Sequence, residues 1–99
     1  MQYIISEKAT EDLEQIWQYT YLQWSEHQAD KYYSLLIQKI ELIAQNAAIG
    51  RRMDDIKEGY RYLTVGSHII FYKNSEDEAV TIIRILHQRM DIPNRLKDG

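Results

Sequence analysis

The residues best equipped for chemistry gather near the end of the chain. In "RILHQRMDIPNRL", residues 84–96, Arg84, His87 and Arg89 lie close together, followed by Met90 and Arg95. A histidine titrates near neutral pH and can act as acid or base. Arginines can clamp a phosphate. Such a set suits acid/base chemistry at a phosphate, with the imidazole moving a proton and the cations stabilising the charged transition state. Arg61 in "GYRYL" is a further candidate cation. The alternative reading makes His87 a strand-end histidine bonded to backbone. Arg84, His87, Arg89, Met90 and Arg95 then form a surface presented to a large target. His68 could face either side of its strand, because register is not fixed by sequence. His27 reads as a surface residue. Arg84 interrupts the apolar alternation Val80, Ile82, Leu86. A buried guanidinium needs paired donors, so it either meets a carboxylate or faces a groove.

Other chemistries are excluded more simply. Three scattered histidines and no cysteine offer no metal-ligand spacing and no disulfide. "GSHIIF" has one glycine between two strand-like runs and is no phosphate loop. No cofactor is expected.

The elements that must position these residues follow from periodicity. Tyr3-Ile4-Ile5 reads as a short strand. Ser6 is a candidate N-cap, with Glu7 in the first helical turn. Ala9, Leu13, Ile16, Trp17, Thr20 and Trp24 then recur on one helical face. Ser25 and Gln28 fit a capping box that starts a second helix. Ala29, Tyr32, Tyr33, Leu36, Ile40, Ile43, Ala44 and Ala47 keep its spacing, which predicts a helical hairpin. Residues 46–59 have no period and read as a surface connection. Tyr60–Val65, His68–Asn74 and Ala79–His87 predict a three-stranded meander, with turns at Gly66-Ser67 and 75–78. The last strand is apolar at nearly every position, which suits a central strand covered on both faces. Asp91-Ile92-Pro93 should end regular structure, leaving a polar tail over about 91–99. The order β-α-α-β-β-β predicts an α+β fold, a helical hairpin on a small antiparallel sheet, in one domain spanning 1–99. The first strand should join at an edge.

Bulk properties bound the partners. Ninety-nine residues with 44% apolar composition are ordinary globular material. A chain of this size buries only about 65% of its unfolded surface, so a bound partner would help it. The first residues, "MQYIISEKATEDL", lack a basic region and an apolar core, so no signal peptide is expected. No run is long enough to span a membrane. A cytoplasmic protein is the expectation. Net charge is −3, divided as −4 over residues 1–50 and +1 over the rest. That balance does not suit direct DNA binding.

Three stretches, "AxEDLEQIWQYTYLQWSEHQADKYY", "GYRYLTVGSHIIFY" and "IRILHQRMD", resemble the ParE-type toxins of the RelE/ParE superfamily. The match runs from about Ala9 to Leu96 in order and spacing. The resemblance implies a small α+β toxin of a type II toxin–antitoxin system. It implies neutralisation by direct binding of a ParD-like antitoxin, and action on DNA gyrase. RelE-type cousins instead cleave messenger RNA on the ribosome. A degenerate, non-toxic partner that only stabilises the antitoxin's repressor complex is a further alternative. Two departures, Ser25 where many relatives have Gly and Ala47-Ala48 where many have Pro, fall at structural positions.

Cleaving relatives resembling the middle strand often carry an arginine there, as in "RLVY"; this chain has Ile69-Ile70. Before that strand Lys57 stands among Asp54, Asp55 and Glu58. The cation set reads as incomplete, which favours binding over catalysis; Arg61, Arg84 and His87 are the catalytic candidates should cleavage operate. Leu22 lies off the core stripe of the first helix, and Leu35 and Leu42 lie off that of the second. With Tyr21 and Met53 they are the expected antitoxin contacts. Removing everything after Met90 is expected to harm toxicity more than His87→Ala.

Overall fold

A computed structural model describes residues 3–74 and 79–97. The expected turn at 75–78 lies outside the described residues. Tyr3–Ile5 form β1, Glu7–Gln23 form α1 and Glu26–Gln45 form α2. A single 3₁₀ turn, Ala47–Ile49, leads into β2, Arg51–Arg52. The strands β3 (Tyr60–Val65), β4 (His68–Asn74) and β5 (Val80–His87) follow, and α3 (Ile92–Lys97) closes the described chain. Among the described residues the sheet has five strands in the order β1-β5-β4-β3-β2. The meander is antiparallel, and β1 joins β5 in parallel at the edge.

Both helix starts follow the sequence. Ser6 Oγ accepts from the Ala9 N–H (3.0 Å) and donates to the Ile83 carbonyl (2.8 Å), so one hydroxyl caps α1 and ties it to β5. Ser25 Oγ accepts from the Gln28 N–H (3.1 Å), starting α2 with almost no loop. Gly66 turns β3 into β4 with φ at 57°, and a side chain there would press on the Tyr32 hydroxyl.

The core lies on both faces of the sheet. Ala9, Leu13, Leu36, Ile40 and Ile43 of the hairpin pack on Val65, Ile70, Tyr72, Val80, Ile82 and Ile85. On the other face Met53, Tyr60, Phe71, Ile83, Leu86 and Leu96 make a second cluster. This arrangement covers β5 twice, as its apolar run demands.

Four expectations need correction. The connection 46–59 is not a plain surface loop: it holds the 3₁₀ turn, the strand β2 and the buried Met53. Tyr72 organises it, donating to the Ala47 carbonyl (2.5 Å) and accepting from the Gly50 N–H (2.8 Å). The segment after Met90 is not a polar tail, because α3 puts Leu96, 1% exposed, into the second cluster. Trp24 leaves the core stripe of α1 and is 74% exposed, because it is the C-cap, where helical direction is lost. Finally, the β4–β5 register shifts between Phe71 and Tyr72, which leaves Ile83 as an extra residue. Val80 and Ile82 therefore share the hairpin side with Ile85, while Leu86 joins Ile83 on the other face. Arg84 does not continue the face of Val80 and Ile82.

Candidate functional site

The shift in β5 decides what Arg84 does. β1 pairs only with Val80, Thr81 and Ile82, so the edge of β5 is open beyond it. Asp12 of α1 fills that gap, accepting from the Ile85 N–H at 3.0 Å. Arg84 grips the same carboxylate with two donors: Nε to Oδ2 (2.8 Å) and Nη2 to Oδ1 (2.9 Å). Its Nη1 donates to the Arg95 carbonyl (3.3 Å), which links α1 to α3 around the sheet edge. Both side chains are largely buried, at 12% and 10% exposure. The guanidinium is held by internal groups, as a buried charge requires. Arg61 is similarly placed, with Nη1 donating to the Gly50 carbonyl (2.8 Å) beside the Tyr72 phenol.

The two strand-end histidines meet. His68 opens β4, His87 closes β5, and the register sets them opposite each other. Their rings stand edge to face, 5.3 Å between centroids. His68 Nδ1 lies 2.7 Å from the Tyr32 hydroxyl of α2, which also donates to the Val65 carbonyl (3.1 Å). His87 Nδ1 accepts from the Arg89 N–H (3.1 Å). Burial first, and the neighbouring His87 second, bring the His68 pKa down to about 4. Burial also pushes the Tyr32 phenol up.

These rings line a cleft of about 470 Å³ between α1 and the ends of β4 and β5. Asp12, Gln15, Ile16, Tyr19, Ile85 and Met90 complete its walls. Among the expected target residues the fold thus brings His87 and Met90 to one cleft. Arg89, next to Met90 in the chain, and Arg95 of α3 are exposed, and Arg84 is drawn inside. No described lysine or arginine lines the cleft. Among the described residues no group of three His, Cys, Asp or Glu could hold a metal ion.

Of the expected antitoxin contacts, Leu22, Leu35, Leu42 and Tyr21 are exposed, Leu22 at 77%. Leu35 also lines a broad groove along α2 with His27, Asp30, Lys31 and Gln38. Met53 cannot serve as drawn: it is 3% exposed, packed under Tyr60 and Leu96. Sequence reasoning gave no site role to Tyr19, Asp12 or Tyr32. Tyr19 stands three residues before Leu22, a spacing that places the two side by side on α1 and could have found it. Trp17 stacks on Tyr21 (5.3 Å between centroids) and donates to Asp30 (2.9 Å), which fixes an aromatic ledge between the helices.

The family model described as the ParE toxin of a type II toxin-antitoxin system, parDE, matches residues 3–92. The chain belongs to the ParE toxin family. It is 42% identical over 94 residues to a "Toxin ParE1" of Mycobacterium tuberculosis, covering 95% of this chain and 96% of that one. A "Toxin ParE1" of Caulobacter vibrioides is 38% identical over 89 residues, covering 90% and 91%. A "Toxin ParE" of Escherichia coli is 30% identical over 96 residues, covering 97% and 93%. The fold of this ParE-family chain matches a solved structure titled "Chromosomal ParDE TA system from P. aeruginosa". The TM-score is 0.76 at 20% identity, over 88% of this chain and 95% of that one. As in the sequence reading, the ParE-family chain is mixed α and β. Among its described residues no helix is long and apolar enough to cross a membrane.

Proposed function

We propose that this chain is a cytoplasmic toxin that acts by binding and inhibiting DNA gyrase, and that a ParD-like antitoxin neutralises it by direct binding. The observation that carries the non-enzymatic part is the placement of Arg61 and Arg84. Both candidate catalytic cations are held by internal partners, the Gly50 carbonyl and the Asp12 carboxylate. A phosphoryl transition state would find no arginine lining the histidine cleft among the described residues. The target surface is then His87 and Met90 at the cleft, with the exposed Arg89 and Arg95. The antitoxin surface is the exposed leucine side of the hairpin, Leu22, Leu35 and Leu42 with Tyr21. Its acidic character suits a basic amphipathic segment.

A gyrase supercoiling assay with purified protein tests this reading. Inhibition that rises with toxin concentration is expected; unimpaired supercoiling at large excess would overturn it. The facing imidazoles of His68 and His87 favour one competing reading, RNA cleavage by an acid/base pair. Cuts in ribosome-bound message that vanish in His87→Ala would establish that reading instead.

A further inference from the structure

The two histidines of the cleft carry opposite hydrogen-bonding capacity at their inner nitrogens. His87 Nδ1 accepts from the Arg89 N–H, so the neutral ring holds its proton on Nε2. At His68 the Tyr32 hydroxyl has one proton for two neighbours, the Val65 carbonyl and Nδ1. Every contact is satisfied when that proton goes to Val65 and the His68 Nδ1–H donates to the phenol oxygen. His68 Nε2 is then a bare acceptor, and the lowered pKa of about 4 keeps it so at neutral pH. The two rings that line the cleft, 5.3 Å apart, thus carry one N–H donor and one nitrogen lone pair at Nε2.

The surroundings narrow the ligand. A metal ion on His87 Nε2 would force the proton to Nδ1, against the Arg89 N–H. A phosphate would find no cation lining the cleft, since the Asp12 charge already answers Arg84. Ile16, Tyr19, Ile85 and Met90 give apolar walls, and the volume of about 470 Å³ is that of a small-molecule site. An aromatic ring with a single hydroxyl meets all of this. Its O–H donates to His68 Nε2, its oxygen accepts from His87 Nε2–H, and its ring lies on the apolar walls.

We propose that the cleft is an anchor site for a tyrosine side chain of the protein target. The proposal rests on the binding reading above. The occupant is assigned to the target because His87 and Met90, two residues of the proposed target surface, line the cleft. Tyrosine also suits an interface anchor, joining a large apolar body to a polar tip.

The test titrates p-cresol, the tyrosine side-chain analogue, into the full-length protein, followed by NMR of the imidazole nitrogens and methionine methyls. Saturable shifts at His68, His87 and Met90 are expected. Toluene, which lacks the hydroxyl, should bind about tenfold more weakly, the loss expected for the missing hydrogen bonds. Phenyl phosphate should bind no better than toluene. His87→Phe should reduce the preference for p-cresol over toluene, leaving only the part owed to His68, and Trp24→Ala at the hairpin corner should leave it intact. Should His87→Phe fail to fold, Tyr19→Ala, at an exposed wall position, should weaken both ligands together. No saturable p-cresol binding, equal binding of toluene, or tightest binding of phenyl phosphate would overturn the anchor. Failure here with intact gyrase inhibition removes only the anchor. Binding of p-cresol without gyrase inhibition removes the gyrase reading and, with it, the assignment of the occupant to that target.

Discussion

Arg84 shows how a residue that looks catalytic becomes structural. Its guanidinium, the Asp12 carboxylate and the Ile85 N–H satisfy one another at the uncovered edge of β5. Arg84→Met would leave the carboxylate largely buried without its cation, a change that costs about 3–5 kcal/mol. Urea denaturation should show that loss. A non-toxic Arg84 variant therefore says nothing about catalysis until its fold is checked. His68 makes a second residue-scale prediction. Its pKa is about 4 in the fold and near 6.5 when unfolded, so the folded state prefers the neutral ring. The associated stability is full above pH 6.5, falls as pH drops toward 4, and is gone below that. The groups facing it are Tyr32, His87 and Asp12. Thermal midpoints measured at pH 7.5 and 4.5 should fall further in the native chain than in His68→Gln.

At the scale of elements, α3 alters the meaning of any C-terminal deletion. Leu96 packs in the second cluster with Met53 and Leu86, and the Arg95 carbonyl holds Arg84. Leu96→Ala should cost about 2–5 kcal/mol, the range for a buried leucine, measurable as a lowered denaturation midpoint. Shortening the chain after Met90 should destabilise it at least as much. Its expected effect on toxicity would thus come through the fold as well as through a lost target surface. Arg89→Ala, at an exposed position, separates the two: stability should stay within about 0.5 kcal/mol, so any loss of activity belongs to binding. The β-bulge works at this scale too. One extra residue in β5 switched the faces of Ile85 and Leu86, and no sequence period announces such an insertion.

The whole molecule separates two faces of different character. The first half of the chain, which holds the hairpin, has a net charge of −4 and carries the exposed leucines; the strand ends carry the histidine cleft, and the arginines of the last segment follow them. Leu22 links them, standing one turn from Tyr19 on α1, so an antitoxin lying along α1 would reach the cleft rim. Leu35→Asp with Leu42→Asp places two charges on the exposed hairpin surface, where they should leave folding intact. Co-expression should then show loss of antitoxin co-purification with growth arrest retained. Co-purification equal to that of the native chain would move the antitoxin elsewhere.

Much of this is legible in the linear chain. Hydrophobic period, the serine caps and the glycine turn specified the hairpin and the meander, because those signals are local and each acts within a few residues. Composition excluded disulfides, and the absence of cysteine with scattered histidines spoke against a metal. The three quoted stretches were enough to point to the family. Tertiary structure alone decided the site. Strand register set His68 against His87, the end of β1 opened the gap that Asp12 and Arg84 fill, and the second core cluster drew in Met53 and Leu96. Each depends on contacts between residues distant in the chain. Their partners are chosen by packing and by the need to satisfy buried polar groups, neither of which a linear pattern displays.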